Sequence, residues 1–166
     1  MTEIITFDNL DLSNRINLLR SLPSTWVDAV EIGVWQGDYM CNMSLHTSMF
    51  VTGIDPYENT ESYKDPEDTS DPWVKDAVGD FNIHLSRYAY ALANIRSTEL
   101  RTHTIRRSRL VRAYGSEMLP YFEDNSIDFI YIDGEHSYEG VSRDMKEWWP
   151  KVRMGGILAG HDYNDT

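Results

Sequence analysis

Residues 126–163, SIDFIYIDGEHSYEGVSRDMKEWWPKVRMGGILAGHDY, constrain the fold more than any other stretch of this chain. Ile127–Ile132 is a short run of β-branched and aromatic residues, the composition of a buried strand. Asp133-Gly134-Glu135-His136 follows as a polar loop whose glycine permits a sharp turn. Tyr138, Val141, Met145 and Trp148 then recur at helical spacing, which predicts a helix with these four on one apolar face. Pro150 limits the helix, and Gly155-Gly156 with Ile157-Leu158-Ala159 open a second buried strand ending in Gly160-His161-Asp162-Tyr163. Strands joined through a helix of this length lie parallel in one sheet. Both polar ends therefore fall on the carboxyl edge, where open α/β sheets bind ligands, and Asp133, His136, His161 and Asp162 are expected to converge there.

The rest of the chain repeats the alternation. Strands are predicted over residues 27–34, 49–54 and 110–114, with a helix over 37–46 and a short one through Met118 and Leu119. A helix from Trp73 to about Ile95 carries Phe81, Leu85, Tyr88, Leu92 and Ile95 on one face. Residues 1–24 read as a helical lead-in. Residues 55–72, acidic and with three prolines, break the pattern as a surface loop or a lid. The expectation is one domain over residues 1–166, of α/β class: a Rossmann-like, mostly parallel sheet flanked by helices.

A formal charge of −12 argues against a broad phosphate-binding surface, so no nucleic-acid partner is expected. The basic run over 101–112 reads as a solvated strand face with its loop. The single cysteine, Cys41, excludes an intrachain disulfide and reads as an inert buried thiol. No apolar run approaches the roughly 20 residues of a membrane span. The N-terminus lacks a basic segment and apolar core, so the expected location is cytoplasmic, without a membrane partner.

The first strand runs into Glu31-Ile32-Gly33-Val34-Trp35-Gln36-Gly37. Gly33 and Gly37 allow a tight turn and a close approach of backbone to a ligand ahead of a helix. This is not the G-x-G-x-x-G pyrophosphate pattern, which disfavours a nicotinamide dehydrogenase. Asp55, ending the second strand, is placed to accept ribose hydroxyls; it could equally open an Asp-Pro turn. Together the glycine turn and the acid favour an adenosine-type ligand, and Trp35 is the aromatic placed to touch it. Asp133 and Asp162 offer hard oxygen ligands for Mg²⁺ or a similar ion, with His161 joining for a softer metal; a helix cap and a backbone hydrogen bond are the plainer roles for Asp133 and His161. His136 has the chemistry of a general base, since imidazole ordinarily titrates near neutrality.

These residues resemble class I S-adenosylmethionine-dependent methyltransferases, and within them the small-molecule branch of macrocin-type sugar O-methyltransferases. The resemblance spans residues 27–163 and is carried by EIGVWQG, GIDPYE and DNSIDFIYIDGEHSYEGVSRDMKEWWPKVRMGGILAGHDY. It implies S-adenosylmethionine at the carboxyl edge, with Glu31, Gly33 and Gly37 around its methionine part, Asp55 on the ribose and Tyr114, Gly115 and Ser116 near adenine. It further implies Asp133, His161 and Asp162 as Mg²⁺ ligands, with His161 standing where those enzymes carry an acid, and Asp133 beside the cofactor. His136 would deprotonate the acceptor hydroxyl of a sugar or other small molecule. The family's sheet continues with a helix and an antiparallel hairpin, whereas this sequence stops at Thr166. The expectation is a sheet lacking those elements: either the chain is a fragment, or it is a minimal relative that covers its last strand as a homo-oligomer. A non-catalytic module for the same cofactor or its demethylated product, and a metal-dependent hydrolase on the same acids and histidines, are the other readings.

Overall fold

All six side chains of strand Ile127–Ile132 are buried, as they must be in a strand covered on both faces. In the computed structural model, which describes residues 12–59, 81–103 and 107–160, this strand lies near the middle of a five-stranded sheet. The strands are β1 (Asp28–Ile32), β2 (Phe50–Ile54), β3 (Ser108–Val111), β4 (Ile127–Ile132) and β5 (Val152–Gly160). Their order is β3-β2-β1-β4-β5, and every pairing is parallel. The helices are α1 (Leu12–Ser21), α2 (Asp38–His46), α3 (Phe81–Thr102), the single turn α4 (Gly115–Met118) and α5 (Tyr138–Trp148).

Alternation along the strands splits the core in two. Ala29, Val51, Phe129 and Tyr131 pack with Leu19 of α1 and Tyr39, Met40 and Met43 of α2. Val30, Ile32, Ile54, Ile130 and Ile132 face the other way, onto Trp148 of α5. Trp148 is wholly buried and meets Phe122 edge-on, with ring centroids 5.3 Å apart. A fully buried side chain of this kind contributes about 1.5–3 kcal/mol. Asp128 of β4 ties β1 and β5 to its own strand. One carboxylate oxygen accepts the N–H groups of Val27 and Asp28 at 2.7 and 2.9 Å, and the other accepts from Arg153 of β5. Burial pushes the Asp128 carboxyl up, but these donors outweigh it and hold the group below the usual range.

Two helices bury only part of the face their apolar residues predict: Ile95 and Trp148 are buried as expected, but other members of those faces are not. On α3 the buried residues are His84, Ala91, Ile95, Thr98 and Glu99, whereas Phe81, Leu85 and Leu92 are exposed. Ala91 lies against Gly37 at the start of α2, where a Cβ on the glycine would meet it at an ordinary 3.5 Å, and His84 finds Asn59 at 2.9 Å. On α5 the inner face is Gly140, Asp144 and Trp148, while Tyr138 and Met145 are exposed. Ser137 caps this helix by accepting the Gly140 N–H at 3.0 Å, which sets its rotation. Trp149, next in the chain, is half-exposed.

Strand β3 ends at Val111, opposite Ile54, short of the predicted Tyr114. Backbone pairing runs on a little further, the Asp55 N–H donating to the Val111 carbonyl at 3.1 Å and the Ala113 N–H to the Asp55 carbonyl at 3.2 Å, until Pro56, which lacks an N–H, follows. β5 begins earlier than predicted, at Val152, and a register shift with Gly155 at φ +79° lets it continue. Cys41 is buried, and burial raises its thiol's pKa. Among the described residues no helix is long and apolar enough to cross a membrane. Residues 60–72 of the acidic loop lie outside the described part.

Candidate functional site

From β1 the chain passes on to β2 at one side, while β4 flanks β1 on the other. Loops leaving the carboxyl ends of β1 and β4 diverge at such a switch point and open a crevice. Here three loops are stitched together. The Gly33 N–H donates to the Ile54 carbonyl at 2.9 Å, and the Asp133 N–H donates to the Ile32 carbonyl at 2.8 Å. Gly33 has φ +82°, and a Cβ built on it would stand 2.1 Å from the Asp133 carbonyl oxygen. No other residue type fits that spot. Gly37, also at φ +82°, starts α2. Trp35 sits between them at φ +53°, an outlier for so bulky a residue, with the Arg87 guanidinium 3.9 Å over its ring.

Asp55 does the work of a clasp. Its Oδ2 accepts the N–H groups of Val34 and Trp35, both at 2.9 Å, and its Oδ1 accepts that of Tyr57 at 2.7 Å. Burial raises its pKa against those three bonds. The carboxylate therefore shapes the glycine turn and opens the Asp-Pro turn; its oxygens retain lone pairs for further donors. Tyr114 precedes α4, and its N–H donates to Glu117 at 2.9 Å. A Cβ on Gly115 would lie 3.2 Å from the Trp148 indole nitrogen and 3.3 Å from Ile32, so this loop leans over the end of β1. Ser116 is exposed beside it.

Glu31 is the most unusual group. It is 2% exposed, and its Oε2 has no hydrogen-bond partner. Its carboxyl is held well above its ordinary range, first by burial and then by the charges of Asp133 and Asp55, with Arg15 opposing. Asp133 stands at the head of the neighbouring loop, 3.6 Å from an Arg15 nitrogen and 3.5 Å from His136 Nε2. Arg15 comes from α1, which the sequence marks only as a lead-in helix; nothing in its spacing shows that this side chain points inward. Its guanidinium lies 5.7 Å over the Tyr39 ring and interacts with Tyr131. The Tyr39 and Tyr131 rings are tilted against each other with centroids 4.1 Å apart; the Tyr39 hydroxyl and Arg15 Nε are buried without hydrogen-bond partners, while the Tyr131 hydroxyl faces the Arg15 guanidinium. Each such unsatisfied buried group costs about 1–3 kcal/mol.

A stability prediction follows from Glu31. Its folded pKa lies above the unfolded value near 4.5, so the folded state keeps a proton that the unfolded chain releases. Stability is then lost as pH rises from about 4.5 towards the folded pKa. Glu31→Gln removes this penalty and is expected to raise the Tm of the ligand-free protein at pH 7.5 by roughly 3 °C or more, with a smaller gain at pH 5. Thermal melts at the two pH values check this; a gain independent of pH contradicts it.

The structure thus brings Glu31, Gly33, Asp55, Asp133 and His136 to one edge, with Trp35, Gly37 and residues 114–116 beside them. His161 and Asp162 lie outside the described residues, and among the described residues no three acidic, histidine or cysteine side chains are grouped to hold a metal. An open groove of about 430 Å³ adjoins Trp35, lined by Gln36, Ser86, Arg87 and Tyr90; its described walls include neither Glu31 nor Asp133.

A family model described as a methyltransferase domain matches residues 30–163. Two curated relatives match shorter segments. An uncharacterized protein, y4gI, of Sinorhizobium fredii is 38% identical over 58 residues, covering 35% of this chain and 6% of its own. An uncharacterized protein, R132, of Acanthamoeba polyphaga mimivirus is 33% identical over 55 residues, covering 32% of this chain and 25% of its own. Among solved structures, a caffeoyl-CoA O-methyltransferase candidate from Staphylococcus aureus has a TM-score of 0.53 at 15% identity, covering 93% of this chain and 58% of that one. A methyltransferase from Geobacter sulfurreducens in complex with S-adenosyl-L-homocysteine has a TM-score of 0.53 at 13% identity, covering 92% and 49%. The chain spans about half the length of these two structures. With its match over residues 30–163 and its doubly wound parallel sheet, the chain belongs to the methyltransferase-domain family.

Proposed function

We propose that this protein is an S-adenosylmethionine-dependent O-methyltransferase acting on a hydroxyl of a small molecule, a sugar or glycosylated metabolite of the kind taken by macrocin-type enzymes. The observation that carries the reading is the buried, unpartnered Glu31 oxygen beside a turn that only glycine can make. A carboxylate so placed calls for a cationic donor, and the backbone at Gly33 leaves room for one to approach. The methionine part of the cofactor fits there, with Gly37 and Trp35 bordering it, Asp55 towards the ribose and Tyr114, Gly115 and Ser116 towards the base. When bound, the cofactor supplies a methyl group on a sulfonium, an electrophilic carbon.

The chain's own part is to align an acceptor hydroxyl with that carbon and to take its proton. His136 fills the second role, half-exposed at the crevice and steered by Asp133 at 3.5 Å. His136 would accept the hydroxyl proton as the methyl carbon exchanges its bond to sulfur for one to the acceptor oxygen, which would leave the methyl ether and S-adenosylhomocysteine. A divalent cation on Asp133, His161 and Asp162 would acidify the same hydroxyl. It would share Asp133 with the Arg15 guanidinium, and the proton transfer to His136 does not require it.

Calorimetric titration with S-adenosylhomocysteine, with and without Mg²⁺, followed by methyl transfer to a panel of sugars, tests the reading. Micromolar binding and turnover are expected. Binding without turnover on any hydroxyl acceptor favours a non-catalytic module, and absence of binding removes the reading altogether.

A further inference from the structure

Glu135, the residue before His136, is a loop carboxylate turned inward: its side chain is 11% exposed, against 43% for His136. Its Oε1 accepts the Ser137 hydroxyl at 2.5 Å, and its Oε2 accepts from Arg143 at 3.1 Å. Ser137 in turn accepts the Gly140 N–H at 3.0 Å, and Arg143 reaches on to Asp144 at 3.5 Å. A Cβ on Gly140 would stand 2.8, 2.7 and 2.6 Å from the Glu135 Cβ, Cγ and Cδ, so Glu135 can lie on α5 only because residue 140 is glycine. Three residues earlier in the chain than His136, the Asp133 N–H is bonded to the Ile32 carbonyl at 2.8 Å. The loop is thus pinned to β1 at Asp133 and to α5 at Glu135 and Ser137, with His136 held between.

Placement is what a general base needs, since a shift of about 1 Å in a reacting group can cost about 10²-fold in rate. Asp133 meets His136 Nε2 from 3.5 Å, longer than a charge-assisted hydrogen bond, so where the ring sits depends on the backbone that carries it. We propose that Glu135 is a positioning residue: gripped by Ser137 and Arg143 and seated on Gly140, it fixes residues 134–137 so that the His136 imidazole faces the acceptor hydroxyl. Its partners all belong to α5 or its cap, and α5 is anchored in the core by the wholly buried Trp148, which gives the brace a rigid footing. The inference rests on reading His136 as the base that takes the acceptor's proton. It adds Glu135, Arg143 and Gly140, which act on the reaction through His136.

The test joins steady-state kinetics, on whichever sugar of the panel is methylated, to histidine-ring NMR of the full chain at one alkaline pH. Glu135→Ala is expected to lower kcat about 10- to 100-fold, with acceptor KM and S-adenosylhomocysteine affinity within about twofold of wild type. Glu135→Gln can still bond both Ser137 and Arg143 and should restore kcat to within about threefold. Gly140→Ala, a better helix former that evicts the Glu135 side chain, should repeat the kcat loss. The His136 Cε1–H resonance, assigned with His136→Ala, should move in Glu135→Ala and Gly140→Ala and return in Glu135→Gln, while those of His46 and His103 stay. Circular dichroism establishes that each variant folds. Wild-type kcat in Glu135→Ala overturns the proposal, as does a kcat loss matched by an equal loss of S-adenosylhomocysteine affinity. A His136 resonance that shifts equally in the Ala and Gln variants reports the missing charge rather than a moved ring, and also overturns it. If wild type methylates no sugar, the acceptor reading falls by itself; the His136 resonance then decides the brace, a shift that Gln reverses supporting it and an unmoved peak overturning it.

Discussion

Gly33→Ala is expected to abolish cofactor binding and to lower the Tm by roughly 5–20 °C. A left-handed φ costs an ordinary residue about 1–2 kcal/mol, and the new methyl would meet the Asp133 carbonyl at 2.1 Å. Backbone must then move, at about 1–3 kcal/mol more, and each kcal/mol is about 2–4 °C in a domain of this size. The displaced segment carries Asp133 and leads to His136, so the damage lands on the crevice itself. Gly37→Ala is the internal control. It has the same φ of +82°, but its Cβ finds Ala91 at an ordinary 3.5 Å. Only the conformational cost of about 1–2 kcal/mol should appear there, with binding retained. Melting and S-adenosylhomocysteine titration of the two variants separate the effects; equal losses at both glycines would show that the contact with Asp133 is not what matters.

His136→Ala is expected to lower kcat by about 10²- to 10⁴-fold, the usual contribution of a general base, while S-adenosylhomocysteine affinity stays within about twofold. His136 is 43% exposed and stands on the outer side of Asp133, so its removal leaves no hole in the core. Turnover close to wild type would end the general-base assignment. The split between kcat and affinity distinguishes this variant from Gly33→Ala, which damages both.

The site was readable where local chain geometry alone sets it. Gly33, Gly37, Asp133 and Glu31 sit at strand ends and turns, and a strand end followed by glycine places its neighbours whatever surrounds it. Asp55 was half-readable: its position follows from β2, but its three backbone hydrogen bonds depend on the loop after β1 folding back over it. Arg15 was not readable. An arginine on a short amphipathic helix points inward only because Asp133, Tyr39 and Tyr131 meet it from three other elements.

The same division holds for the fold. Sequence alone determined β4 to the residue, the alternation of strands with helices and the parallel crossover from β4 to β5, because apolar runs and their interruptions act over a few residues. Tertiary structure decided which way the helices face and where edge strands stop. Phe81, Leu85 and Leu92 lost the inner face of α3 to Ala91 and Thr98, and Tyr138 and Met145 lost that of α5 to Gly140 and Asp144. Hydrophobicity ranks the faces of an isolated helix, but close packing selects the side chains whose shape fits a particular neighbour, and that neighbour is known only once the sheet has formed.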